Sequence, residues 1–406
     1  MAGDSRAAAN AAAVLRTVLA HGPVARSAIA PLCGLSPAAV SRQANGLLRS
    51  GLLRELPGPA ASGAGRPRIP LDLHTGPVGG PVAAGLHIGV PAATFSLVDL
   101  RGTLLARRTS PHQAPTPTPG PGPDPADIAD RLAAFLREFD TGRPLLGVGV
   151  ALGGWVRPGD GTVVRHEALG WRDRPLGAEL AERLRLPVSV DNHARAVAHA
   201  EILFGRPEAR RSLVHLFIGN VVDAAFGIEG TVHQGPGAAA GDVAHLPVPG
   251  SRTVCPCGRV GCLQATASDT VLGAEAVRRG IVPEPSVNLL VDAAATGDPR
   301  ADRLLRERAR AVGGAAAVLL DVFNPAVMVV TELSSVLHDG YLDEIRAAAA
   351  AASRTGGGSG GAGGTNGSVG VGPARIVSPH AGPAVLPGAA ATVLLGPLFR
   401  DPSHLN

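Results

Sequence analysis

Between His245 and Cys262 the chain reads His-Leu-Pro-Val-Pro-Gly-Ser-Arg-Thr-Val-Cys-Pro-Cys-Gly-Arg-Val-Gly-Cys, gathering three of its four cysteines and one histidine into one short segment. Three thiolates and an imidazole complete a tetrahedral Zn²⁺ shell, and Gly258 and Gly261 relieve the crowding of a knuckle that folds its ligands back onto one ion. His245, Cys255, Cys257 and Cys262 are therefore the candidate metal ligands. With four protein ligands there is no vacancy for water, so the predicted zinc is structural. The alternatives are buried thiols or a disulfide. Met1-Ala-Gly-Asp-Ser-Arg leads into a polar-punctuated alanine helix and not into an export signal, which predicts a cytoplasmic, reducing setting where disulfides are rare.

The 406 residues exceed one ordinary domain. No lysine occurs, so arginine and histidine supply all the side-chain cations. Eight arginines against Asp4, Glu55 and Asp72 give residues 1–75 a charge of +5, which leaves −1 for the rest of a chain whose total is +4. A cationic front on a near-neutral body is the charge pattern of a nucleic-acid-binding module joined to a ligand or enzyme domain. No run of about 18 apolar residues escapes interruption by charge or proline, so no membrane span is expected.

Residues 8–20 have helical periodicity, Gly22-Pro23 ends the helix, and a short helix over 27–32 turns at Gly34. Ser36-Pro37 then opens another helix with a capping hydroxyl and proline at its first position, which is helix-turn-helix spacing. Its polar side carries Ser41, Arg42 and Asn45 for base edges, with Ser36 and Arg49 nearer phosphates. Leu52–Leu56 and Ile69–Leu73 read as two strands of a wing around Gly65-Arg66-Pro67-Arg68. An arginine on that extended backbone suits the narrow minor groove, which adds Arg66 and Arg68 to the DNA-binding set.

After a linker over 76–81, strands are expected over 82–89, 93–102, 145–152 and 327–330, with helices over 128–139, 267–279, 286–295, 302–320 and 387–399. The class is α/β. Residues 111–125 and 354–371 read as Pro- and Gly-rich loops. No fixed period marks a repeat, although two lobes of the body are a plausible duplication.

Cys-x-Cys-Gly-x-x-Gly-Cys, preceded by Gly241-Asp-Val-Ala-His245, resembles the signature of the ROK family, which joins bacterial sugar kinases to transcriptional repressors of the same fold. Residues 1–75 are similar to the winged helix of ROK repressors. The resemblance implies a winged helix-turn-helix on a two-lobed, actin-like ATPase body, with lobes over 82–190 and 191–406. It also implies that the His and three Cys bind zinc. In kinases of the superfamily the first hairpin reads Asp-x-Gly-Gly-Thr; here those positions are His87, Gly89, Val90 and Pro91. His for Asp removes an anionic metal partner, and Pro removes an N–H from a phosphate-facing turn. Active kinases carry Asn-Asp, the Asp being the general base, where this chain has Asn192-His193. Leu216–Gly227 keeps scattered matches to a second phosphate motif, and Glu332 replaces a Gly beside the adenine.

On the sugar-facing half, Gly153, Asn192, Asp242 and His245 form the implied effector-binding set, with Asp242 in place of Glu. Gln264 replaces the Glu that usually follows the last Cys. Before Leu169-Gly170-Trp171, the polar sugar contact of the family falls on Ala168 in ungapped register, or on Glu167 one residue earlier. The expected function is a DNA-binding regulator, a repressor of carbohydrate-related genes, that has lost kinase activity and is controlled by a sugar or sugar-phosphate effector. It would act on double-stranded operator DNA as a homodimer or tetramer, away from membranes. The alternatives are a sugar kinase with His193 as base and a DNA-binding protein without an effector.

Overall fold

The computed structural model describes residues 2–57, 69–112, 122–354, 375–382 and 385–405. The wing tip with Arg66 and Arg68, most of the expected loop over 111–125 and nearly all of that over 354–371 lie outside the described residues.

The N-terminal part runs α1 (Ala2–His21), β1 (Val24–Ala25), α2 (Arg26–Cys33), α3 (Pro37–Arg49), β2 (Leu53–Glu55) and β3 (Pro70–Leu73). Ser36 caps α3 by accepting the N–H of Ala39, and Pro37 begins the helix, where its missing N–H costs nothing. Gly34 turns the chain between α2 and α3 at φ +68°. The strands form an antiparallel sheet in the order β1-β3-β2. Val14, Leu15 and Val18, one face of α1, bury against Val40 and Leu47 of α3 and Leu71 and Leu73 of β3. This is the expected winged helix-turn-helix.

The body continues with β4 (Val82–Ile88), β5 (Ala92–Asp99), β6 (Leu104–Pro111), α4 (Pro125–Glu138) and β7 (Leu145–Leu152). A small three-stranded sheet of β8 (Trp155–Arg157), β9 (Thr162–His166) and β10 (Trp171–Arg174) precedes α5 (Leu176–Leu184), β11 (Val188–Asn192), α6 (His193–Phe204) and α7 (Pro207–Arg211). Then come β12 (Ser212–Ile218), β13 (Val222–Ile228), β14 (Thr231–His233), α8 (Leu263–Ala267), α9 (Asp269–Arg278), α10 (Val287–Ala295) and α11 (Pro299–Phe323). The chain closes with β15 (Val327–Glu332), α12 (Leu333–Leu337), α13 (Asp339–Ala352), β16 (Arg375–Val377) and α14 (Val385–Arg400). The helix expected over 267–279 is broken at Ser268, which ends α8 and precedes α9 in extended conformation.

The two large sheets share one topology. The first has the order β11-β7-β4-β5-β6 and the second β14-β13-β12-β15-β16. In each, an antiparallel meander places its first strand at the centre, and two parallel strands extend the sheet from that strand. The duplication therefore lies in strand order and not in a sequence period. Strands β7 and β15 are almost wholly buried, as their apolar runs require for strands covered on both faces.

Helix α14 crosses back from the second lobe and rests on β4 and β7 of the first. The approach needs glycine: a Cβ on Gly85 would come within 2.8 Å of Pro387 O, and one on Gly149 within 2.2 Å of Ala390 O. The segment 191–406 is thus divided, since α14 packs with the first lobe. Leu394, Leu395, Leu398 and Phe399 of α14 share a core with Val14, Leu15 and Val18 of α1, so the winged helix is seated on the body through this helix. Arg101 adds a polar tie, donating to Leu19 O at 3.1 Å and to the carboxylate of Asp72. No helix among the described residues is long and apolar enough to cross a membrane.

Candidate DNA-binding, metal and interlobe sites

On α3, Arg42, Asn45 and Arg49 are exposed and three or four residues apart, while Val40, Ala44 and Leu47 are buried on the opposite side. Ser41 is half-buried. Neither Arg42 nor Arg49 has an ion-pair partner among the described residues, so both guanidiniums are open to an external anion. Ser36 is exposed but its oxygen already caps the helix. The face offers unneutralised guanidiniums on a helix packed over a sheet, which is the form of a major-groove reader.

The knuckle brings His245, Cys255, Cys257 and Cys262 together with their ligand atoms all within 4.8 Å of one another. Sγ of Cys255 is 3.8 Å from Nδ1 of His245, and Sγ of Cys257 is 3.7 Å from Sγ of Cys262. A tetrahedron with metal–sulfur arms of about 2.3 Å has edges of about 3.8 Å, so the spacing fits a zinc ion and is far too long for a disulfide. All four cysteines of the chain are free thiols. The N–H groups of Cys255 and Gly261 bond to the carbonyls of Arg259 and Thr253, and Gly258 and Gly261 adopt φ of +88° and +77°, which few other residues reach without strain.

Two residues past Cys262, Gln264 connects this knuckle to the space between the lobes. Its Oε1 accepts the N–H of Val222 at 2.8 Å and its Nε2 donates to Asn220 O at 2.7 Å, closing on the β12–β13 turn like a short strand. A glutamate could not make the second bond. Thr270 bonds the side chain of Asn220 and Asp269 N–H bonds Gly219 O, so the turn is held from both sides.

That turn edges a cleft of about 250 Å³ whose lining includes His87, Gly153, His166, His193, Phe217 and Asp269. Burial lowers His87 to about 3 and His166 to about 4, so both rings are neutral at pH 7. Nε2 of His193 lies 3.1 Å from Oδ2 of Asp223, close but off the line of a good hydrogen bond. The same carboxylate accepts from Asn192 Nδ2 at 3.0 Å and from Gly154 N–H at 3.2 Å. Burial pushes the Asp223 carboxyl up, but His193, Asn192 and Gly154 together outweigh it and hold it below its ordinary value.

The implied effector set is scattered. Gly153 lines the cleft, where a Cβ would come within 2.9 Å of Val221 and 3.2 Å of His193. Asn192 lies buried behind it with both ends of its amide engaged: Oδ1 accepts the N–H of Ala194 and Arg195, and Nδ2 donates to Gly154 O and Asp223. Asp242 is exposed, and His245 belongs to the metal cluster; neither lines the cleft. Glu167 is exposed and paired with Arg165 at 2.6 Å, and Ala168 is exposed. The polar group before Leu169 that faces the cleft is His166, two residues ahead of the ungapped register, because the alternation of β9 turns Arg165 out and His166 in. Asp191, one residue before Asn192, is closed in a buried pair with Arg195 at 2.6 Å.

Glu332 does not stand open to a nucleotide. It is 1 % exposed, accepts the N–H of Ser334 and Ser335 at the start of α12, and pairs with the buried Arg308 at 3.2 Å. Asp223 and Arg308, the charged residues that organise the cleft, carry no motif signal and become visible only through their partners.

Residues 83–355 match the ROK family. A transcriptional regulator of Mycobacterium tuberculosis is 37% identical over 408 residues, spanning 97% of this chain and 86% of the relative. A putative xylose repressor of Caldicellulosiruptor is 28% identical over 82% of this chain and 85% of its own length. Among solved structures, a ROK family transcriptional regulator homologous to the Escherichia coli MLC protein superposes with a TM-score of 0.76 at 22% identity, covering 98% of both chains. A ROK family glucokinase from Streptomyces griseus, solved with glucose and AMPPNP, gives 0.63 at 24% identity, covering 98% of its own chain but 76% of this one. The chain is a member of the ROK family.

Proposed function

We propose that this protein is a DNA-binding transcriptional regulator, a repressor of carbohydrate-related genes whose operator affinity is set by a sugar effector between the lobes. The observation that carries this reading is the exposed, unpaired Arg42–Asn45–Arg49 face on a winged helix that shares its core with a ROK body. Arg42 and Asn45 reach base edges with Ser41, and Ser36, Arg49, Arg66 and Arg68 follow the backbone and minor groove. One winged helix supplies few contacts, so two copies on a palindromic operator, as a dimer or within a tetramer, form the binding unit. The names of the relatives, regulator and xylose repressor, support the same assignment.

Kinase activity is lost in this reading. His193 stands at the base position against Asp223, Pro91 removes an N–H donor from the hairpin turn, and Glu332 occupies the N-terminus of α12. His245, Cys255, Cys257 and Cys262 hold a structural zinc that cross-links the knuckle. The test is a gel shift with the protein's own upstream DNA at two salt concentrations. Binding that is specific, weakens with salt and falls on Arg42→Ala is expected. Absence of binding at low salt from zinc-replete protein overturns the reading.

A further inference from the structure

Thr75-Gly-Pro-Val-Gly-Gly-Pro81 joins the winged helix to the body and has the composition of a flexible tether. It is folded into a compact turn instead. The imidazole of His74 stands inside that turn, with Nδ1 3.2 Å from Gly51 O and Nε2 3.1 Å from Val78 O. A neutral ring donates to one of these carbonyls and a protonated ring to both. Gly80 is buried against the same residue. A Cβ there would come within 2.5 Å of His74 O and 2.6 Å of Gly76 O, so only glycine closes the turn this tightly.

The turn is gripped from both ends. On the body side Arg143, which precedes β7, donates from Nε to Gly80 O at 2.5 Å and from Nη2 to Thr75 O at 3.4 Å and Pro81 O at 3.5 Å. Val82 N–H then bonds Pro144 O at 2.9 Å, so the chain leaves the turn already tied to the residue before β7. On the DNA-binding side, Gly51 belongs to the turn that ends α3: its own N–H bonds Leu48 O at 3.1 Å, and Leu52 N–H bonds Leu47 O at 3.0 Å. The carbonyl that faces His74 is therefore fixed to the last turn of the helix that carries Arg42, Asn45 and Arg49.

Two recognition helices read half-sites that lie a set distance and rotation apart, so the range of spacings a pair accepts reports the stiffness with which each helix is carried. A Gly-rich tether would let several spacings bind. We infer that His74 and Arg143 are positioning residues for operator recognition: they hold the linker as a strut that sets how α3 is carried on the body, and with it the half-site spacing that two copies accept. The inference rests on the regulator reading and adds to it the geometry of the DNA.

The full-length, zinc-replete protein is titrated with its palindromic operator and with duplexes whose half-sites are moved one or two base pairs closer or farther apart. Two base pairs turn one half-site by about 70° around the duplex, so the parent is expected to prefer one spacing by about tenfold or more over those displaced this far. In His74→Ala and in Arg143→Ala that preference is expected to fall to about threefold or less, while affinity for a duplex with a single half-site at low salt stays within about twofold of the parent's. Arg143 lies outside the winged helix, so its variant keeps the test decisive if His74→Ala fails to fold, which Tm reports. A parent that binds all spacings alike, or a folded variant that keeps the full preference, overturns the inference and leaves the regulator reading intact. A loss of affinity equal on the single half-site and on every spacing also overturns it, since that marks a damaged winged helix. Absence of operator binding by the parent overturns the regulator reading, and the inference with it.

Discussion

His193, the first residue of α6, meets Asp223 of β13 with Nε2 3.1 Å from Oδ2, so the base position of the family's kinases is filled by an imidazole facing a carboxylate of the second sheet. Substituting His193→Asp would set two carboxylates side by side in a buried site, where both cannot ionise. The variant should lose roughly 1–3 kcal/mol of stability in urea unfolding. Neither it nor the parent should release ADP in a sugar-dependent coupled assay. Turnover by the parent that disappears in His193→Ala is the result that would restore the kinase alternative.

Gln264→Glu removes the donor to Asn220 O and turns a carboxylate oxygen toward that carbonyl. A cost of about 1–3 kcal/mol is expected. Hydrogen exchange at the Val222 amide should accelerate while zinc content stays at the parental level. Unchanged exchange would show that the β12–β13 turn is not held by this side chain.

Cys257→Ser takes one thiolate from the four-ligand cluster. Metal analysis of the purified variant should show zinc lost or strongly reduced, with a lower Tm, because structural zinc contributes directly to folding. Metal content equal to the parent's would remove Cys257 from the ligand set.

Arg101→Ala deletes the tie from the β5–β6 turn to Leu19 O and leaves the nearly buried Asp72 carboxylate without its cation. A loss of about 1–2 kcal/mol is expected, discounted for the partial exposure of the arginine. Limited proteolysis should cut faster between residues 74 and 81, where the winged helix joins the body. Equal cleavage rates would show that the shared core with α14 suffices to seat the domain.

His87, His199 and His215 are lowered to about 3 and His166 to about 4, all chiefly by burial. Between those values and the ordinary value near 6.5, the unfolded chain binds more protons than the folded one, so stability falls as pH falls through this window. Each such histidine contributes on the order of 1 kcal/mol per pH unit. The urea midpoint should therefore drop steadily from pH 7 to pH 5, and His199→Leu should make the dependence shallower. A midpoint independent of pH over that range would contradict neutral burial of these rings.

The knuckle and the winged helix were legible in the chain because their determinants are local. Three Cys and a His lie within one short segment, and Ser36-Pro37 with the apolar period of α3 fixes a helix start and its buried face whatever surrounds it. The cleft was not legible in that way. Asp223 and His193 come from different elements, β13 and α6, His166 enters through strand alternation two residues from where an ungapped comparison looks, and Glu332 turns from a charge beside a nucleotide into a helix cap paired with Arg308. The duplicated sheets left no period, because strand order is written in backbone hydrogen bonds, which strands as different as the apolar β7 and the Arg-bearing, exposed β6 make alike. Sequence by itself marked the winged-helix elements, the apolar strands and the candidate metal ligands, which depend on neighbours along the chain. Only the tertiary structure decided which charges meet, that α14 returns to the first lobe, and what the space between the lobes can hold, since a buried polar group takes its meaning from partners that folding brings to it.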